Sequence, residues 1–138
     1  MSTQSNSNAE TSQPSVNEAQ GRVLAEAFWR LVHHYRLTRK EQAVLLGMKH
    51  TRRIKELDER KEIPLEADKF ARIGNLIGIH KNLRILFPEN REVVYAWMKT
   101  PRKEFGNKSA LQWIEENEVD SFKRLFTVRR MLDQMRTL

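Results

Sequence analysis

The chain has no cysteine, only five glycines and four prolines in 138 residues, and no long apolar run. Without cysteine there is no disulfide, no thiolate zinc site and no cysteine nucleophile, a pattern that fits a cytoplasmic protein. No stretch approaches the roughly 18 apolar residues of a membrane span. The N-terminus lacks the basic and apolar blocks of a signal peptide, so a soluble cytoplasmic chain is expected. Basic residues are absent from residues 1–20, "MSTQSNSNAETSQPSVNEAQ", whose only charges are Glu10 and Glu18. Rich in Ser, Asn, Gln and Thr, this stretch is expected to form a disordered tail. No run alternates cleanly between apolar and polar residues, which argues against a sheet.

Groups suited to catalysis are also scarce. His33, His34, His50 and His80 are the only histidines, and the adjacent His33 and His34 cannot share a helix face as ligands at i, i+4 would. Glu115, Glu116 and Glu118 form an acidic patch without a partner spacing for metal or acid–base work. Gly74 and Gly78 stand in the wrong context for a phosphate loop. No enzyme, no metal and no cofactor are expected.

What the chain does have is basic charge and helical periodicity. Lys and Arg outnumber Asp and Glu by 25 to 18, and all of the excess lies beyond residue 20. A basic folded part points to nucleic acid or an acidic protein surface as partner. From Arg22 onward, Val23, Ala27, Trp29, Leu31 and His34 space out an apolar stripe at helical intervals. "LTRKEQAVLLGM" begins with Thr38 and Glu41, the capping-box pair that satisfies two orphan N–H groups. Its apolar residues Ala43, Val44, Leu46 and Met48 follow, and Gly47 supplies a stop.

"KHTRRIKELDERKEI" reads as a mostly charged helix burying Ile54 and Leu57. Pro64 ends it and is expected at the first position of the next helix. That helix runs through Ala67, Phe70, Ile73, Ile77, Leu83, Leu86 and Phe87, with Gly74 and Gly78 allowing close packing or a bend. Pro88 breaks it, and "ENREVVYAWMK" makes a short helix. Ser109 and Gln112 repeat the capping-box spacing over "SALQWIEEN". The last helix, "VDSFKRLFTVRRMLDQMR", is expected to bury Val119, Phe122, Leu125, Phe126, Met131 and Leu132. The fold class is all-α.

Residues 37–61 have the layout of a helix-turn-helix. Ala43 allows close helix approach, Gly47 permits a left-handed turn, and a basic helix follows. Its second helix would present Lys49, His50, Thr51, Arg52, Arg53 and Lys55 to bases or phosphates. From Gly47 to Ile54 is seven residues, one more than the usual spacing. Either the turn is longer or the second helix is rotated, and an ordinary two-helix corner with a solvated basic face stays open beside the DNA-reading one.

Four blocks follow in order: "LRILFP" at 83–88, "AWMKTP" at 96–101, "FGNKSALQWI" at 105–114 and "VRRMLDQM" at 128–135. Together they resemble the toxin-binding domain of the MbcA/ParS/Xre antitoxins. The family places a hydrophobic-Phe-Pro element, a Trp-x-x-x-Pro, a Gly-Gly turn and a helical end in that sequence. Asn107 stands where a second glycine is common, and asparagine also tolerates the left-handed conformation. The resemblance implies a 21–73 helix-turn-helix-like part ahead of a 74–138 toxin-binding part.

It further implies a protein that neutralises a RES-type toxin, which consumes NAD⁺ or transfers its ADP-ribose, by blocking the toxin's active-site entrance. Autorepression of the operon through DNA binding accompanies this in many members. The implied partners are a RES-domain toxin from a neighbouring gene, operator DNA and a second copy of the chain, with no membrane. The implied toxin contacts are Phe105, Gly106, Asn107, Lys108 and Ser109 on the loop and Arg129, Arg130 and Arg136 on the last helix. In the rival reading the chain is a stand-alone DNA-binding regulator whose C-terminal half only dimerises.

Overall fold

The computed structural model describes the backbone of residues 2–137 and the side chains of residues 18–137. Among the described residues seven α-helices follow in order: α1 (Ser2–Tyr35), α2 (Arg39–Leu46), α3 (Thr51–Arg60), α4 (Ala67–Leu86), α5 (Arg91–Ala96), α6 (Ala110–Glu115) and α7 (Ser121–Met135). Two 3-10 turns, Trp97–Lys99 and Lys103–Phe105, lie between α5 and α6. Among the described residues there is no strand beyond an isolated bridge between Arg102 and Lys108, so the chain is all-α. The tail read over 1–20 falls largely on residues 1–17, which lie outside the described side chains. Glu18, Ala19 and Gln20 are exposed residues of α1.

Local chemistry sets several helix ends. Thr38 opens α2: its hydroxyl accepts from the Glu41 N–H at 3.1 Å, and the Glu41 carboxylate accepts from the Thr38 N–H at 2.8 Å. Gly47 closes the helix at φ 66°, donating to Val44, while Met48 donates to the Ala43 carbonyl. This pair of bonds satisfies carbonyls that would otherwise be orphaned. Arg36 and Lys61 close α1 and α3 at φ 52° and 53°. Their side chains give no warning of it, because left-handed backbone disfavours residues with a Cβ. Pro64 lies in the extended stretch before α4, whose N-cap is Glu66, and not at the first helical position expected for it.

α4 is the central helix, packed by α1, α2, α5 and α7. Ile73, Leu76, Ile79 and Leu83 of α4 and Leu125, Val128 and Leu132 of α7 are fully buried in one core with Phe28, Trp29, Leu46 and Ile54. The division drawn between residues 73 and 74 falls inside α4, and buried residues from both sides of it share that core. Among the described residues no helix is long and apolar enough to cross a membrane.

Several residues read as core lie outside it. Val23 is 67% exposed, Val119 92% and Phe126 42%, and His34 is also exposed. The buried face of α1 is carried by Ala25, Phe28, Trp29, Leu31 and Tyr35, rotated from the stripe that Val23 and Ala27 suggested. The two α4 glycines differ. A Cβ on Gly78 would come within 2.5 Å of the Arg129 Nε, whereas nothing lies within 4 Å of one built on Gly74. Only Gly78 is there for close approach.

Arg72 ties three helices together. From α4 its Nε donates to Asp68 at 3.0 and 3.1 Å, and its Nη1 donates to the Ser121 hydroxyl of α7 at 3.2 Å and the Val44 carbonyl of α2 at 3.4 Å. A second inter-helix contact joins α1 to α4, where Tyr35 and His80 Nδ1 share a hydrogen bond of 2.8 Å. Burial, with Arg84 and His34 nearby, pushes the His80 imidazole below its ordinary pKa. A histidine depressed in the fold is protonated first in the unfolded chain. Its contribution is therefore complete above about pH 6.5, the ordinary value, and fades as pH falls below it. Chemical unfolding of wild type and His80→Gln at pH 7.5 and 5.5 should show the gap between them narrowing at the lower pH. A gap that stays constant would count against this.

Candidate functional site

Residues 97–117 make a loop braced at both ends. Trp97 is buried at the end of α5, and the Thr100 N–H donates back to its carbonyl at 3.2 Å. Pro101 then ends the helical path, since it has no N–H to give. The chain turns back on itself, and the Arg102 N–H donates to the Lys108 carbonyl at 3.0 Å while the Asn107 N–H donates to the Arg102 carbonyl at 2.9 Å. At the tip Gly106 and Asn107 are both left-handed, at φ 67° and 64°. Glycine adopts this region without a Cβ clash and asparagine tolerates it. Ser109 then caps α6, its hydroxyl accepting from the Gln112 N–H at 3.1 Å and Gln112 Oε1 accepting from the Ser109 N–H at 2.9 Å.

Three aromatic rings lie under the loop. Trp97 meets Phe105 edge-on at 6.3 Å, and Phe105 meets Trp113 at 5.2 Å. Outside them, Glu116 sits between two cations. Lys108 pairs with it from the loop, and Arg124 Nη1 donates to it from α7 at 2.8 Å and to the Trp113 carbonyl at 2.6 Å. The Lys108 bond first, and Arg124 second, hold the Glu116 carboxyl below the usual carboxylate range. Lys99, on the other flank, pairs with Glu41 of α2 at 3.3 Å. The loop is thus fixed to α2 on one side and α7 on the other.

The structure separates the side chains expected on this surface. Gly106, Asn107 and Lys108 are exposed at the loop tip. Phe105 and Ser109 are each 3% exposed, one sealed in the aromatic cluster and the other spent as a cap, so both act on the loop from beneath. On α7, Arg129 donates to Asn75 Oδ1 at 3.2 Å and Arg136 to Asn82 Oδ1 at 2.9 Å, bracing α7 against α4. Arg130 points outward, its guanidinium 5.9 Å from the exposed Phe126 ring. Leu111 is the α6 residue sealed in the core, while Trp113 is half-buried.

The basic stretch at 49–55 forms a separate surface. α2 and α3 pack on each other, joined by Gly47–His50, and Arg39 pairs with Asp58 across them at 2.8 Å. Ile54 and Leu57 turn inward, leaving Lys49, His50, Thr51, Arg52, Arg53 and Lys55 all exposed. None of these cations pairs with a carboxylate among the described residues. They cluster around the N-terminal end of α3, where first-turn N–H groups favour an anion. Among the described residues no His, Asp or Glu group is placed to hold a metal ion.

Both surfaces carry exposed cations on the outside and aromatic or aliphatic residues beneath. Comparison with known proteins specifies the class. Residues 82–137 match the antitoxin Xre/MbcA/ParS C-terminal toxin-binding domain, a span that begins inside α4 and takes in the braced loop and α7. Over 125 residues the chain is 30% identical to uncharacterized protein y4oB of Sinorhizobium fredii (strain NBRC 101917 / NGR234), covering 91% of this chain and 93% of that one. The chain is of the Xre/MbcA/ParS antitoxin type, and residues 82–137 are its C-terminal toxin-binding domain. It is a regulatory binding protein and not an enzyme.

Proposed function

We propose that this antitoxin neutralises a RES-type, NAD⁺-consuming or ADP-ribosylating toxin in the cytoplasm by seating the 102–109 loop and the outer face of α7 over the toxin's active-site entrance. The observation that carries this is the bracing of the loop inside the toxin-binding domain. A surface already held by the Arg102–Lys108 bridge, the Ser109 cap and the Lys108–Glu116–Arg124 chain loses little conformational freedom on docking. The test is co-expression with the product of the adjacent gene, following growth and cellular NAD⁺. The reading expects arrest and NAD⁺ loss from the neighbour alone and recovery of both with this chain. A harmless neighbour, or NAD⁺ loss that this chain does not reverse, favours the rival DNA-binding regulator.

DNA binding by the helix-turn-helix-like pair α2–α3 would supply autorepression. It is supported by the exposed cations at the start of α3, which are paired to no carboxylate among the described residues. Arg52→Ala with Arg53→Ala should weaken operator binding about tenfold and reduce its log–log salt slope by about 2, because each lost phosphate contact removes one counterion released. Operator binding with an unchanged slope would remove this helix from the DNA interface.

A further inference from the structure

On the braced loop the sequence points to Lys108 and passes over Arg102, yet Arg102 is a cation without a carboxylate partner among the described residues and the one held against a ring. Lys108 is engaged by Glu116, and Lys99 by Glu41 and the Arg36 carbonyl. Arg102 pairs with no carboxylate among the described residues, although Glu104 lies exposed on the same turn. Its main chain is bonded from both directions: the N–H donates to Lys108, and the carbonyl accepts from Phe105 and Asn107 at 3.1 and 2.9 Å. Its guanidinium rests 4.4 Å from the centroid of the Trp97 ring.

Two further facts concern hydrogen bonding. Arg102 Nε and Trp97 Nε1 are both buried and have no hydrogen-bond partner among the described residues. Neither atom is open to solvent, so a partner would meet the guanidinium at its terminal Nη groups. Contact with an indole face engages the π surface of a guanidinium and leaves the terminal Nη N–H groups free for an acceptor. The ring also holds the long side chain in place before any partner arrives. Lys103, exposed next to it and likewise without a carboxylate among the described residues, adds positive charge to the same edge.

We propose that Arg102, backed by the Trp97 ring, is the anion-reading side chain of the toxin-binding surface and takes a carboxylate of the toxin. This rests on the loop being the docking surface, as above. A planar fork meeting a carboxylate through two parallel N–H bonds is both stronger and more selective than a point charge. Arg102 would therefore contribute selectivity among toxins, while Gly106 and Asn107 supply the shape.

The test measures affinity of the full chain for the purified product of the adjacent gene, across a salt series and with and without NAD⁺. Arg102→Gln should weaken binding about 30- to 100-fold, within the range for an interface hot spot, and should flatten the salt dependence. Its melting temperature should stay within about 3 °C of wild type. Arg102→Lys should recover only part of the loss, since it keeps the charge without the fork or the stacking.

Affinity of Arg102→Gln within threefold of wild type would overturn the assignment, as would full recovery by Arg102→Lys. Loss of binding together with a large fall in melting temperature would make Arg102 a support of the fold instead. A loss seen only with NAD⁺ present would put the anion on the dinucleotide and overturn the carboxylate. If wild type does not bind at all, the toxin reading fails with this assignment. If wild type and Arg102→Gln bind alike, this assignment alone fails.

Discussion

Replacing Gly47 by valine should lower unfolding stability by about 3–4 kcal/mol, the sum of backbone strain and a displaced side chain. Gly47 ends α2 at φ 66°, where a β-branched residue is strained whatever its surroundings. A Cβ there would also come within 2.5 Å of the Arg72 guanidinium. Arg72 cannot simply swing away, because Asp68, Ser121 and the Val44 carbonyl hold it from three helices. Moving it loosens α2 from α4 and α7 together.

Gly106 is the internal control. Its φ is 67°, but nothing among the described residues lies within 4 Å of an added Cβ. Gly106→Val should therefore carry the strain alone, about 1–2 kcal/mol. Helicity should be preserved while toxin affinity falls, because the tip must leave its left-handed shape. Denaturant unfolding of both variants decides the matter. Equal destabilisation would show that the Arg72 contact adds nothing, and unchanged toxin affinity in Gly106→Val would remove the tip from the interface.

Phe105→Ala should destabilise the chain by about 3 kcal/mol or more, the usual range for removing a buried phenyl ring. Phe105 joins Trp97 to Trp113 beneath the loop and is almost wholly enclosed. Its loss opens a cavity under the segment that presents Gly106 and Asn107, so toxin binding should fall with stability. Phe105→Leu separates support from contact. If Phe105 acts from beneath, leucine should retain most of the affinity at a modest stability loss, since it refills much of the volume. A leucine variant that folds as well as wild type but no longer binds would show that the ring itself meets the toxin.

The features legible in the sequence were those written in one or two adjacent turns. Thr38 with Glu41 and Ser109 with Gln112 announced capping boxes, and both are present. Gly47 and Gly106 announced left-handed turns, and both have them. The block order from "LRILFP" to "VRRMLDQM" announced the toxin-binding domain, and the family match covers it. Where the same local grammar is silent, as at the left-handed Arg36 and Lys61, helix ends could not be placed from side chains alone.

Burial on the two long terminal helices was less legible. A three- and four-residue spacing is compatible with more than one rotation of the helix about its axis. Val23 and Phe126 fit the stripe as well as the residues that are buried, and the neighbouring helices decide which set turns inward. Val119 precedes α7 altogether and is left in solvent by the turn that leads into the helix.

By itself, then, the sequence determined an all-helical chain, its capped helix starts, its glycine turns and its family, because each depends on groups close along the backbone. Only the tertiary structure decided which cations are engaged within the fold. Arg129 and Arg136 look like a solvated helix face until Asn75 and Asn82, each 54 positions away, are brought beside them. Arg102 looks like an ordinary surface charge until the Trp97 ring is folded against its guanidinium. Whether a charge is bound within the fold depends on the groups packed around it, and for Arg129 and Arg136 packing draws those groups from distant parts of the chain.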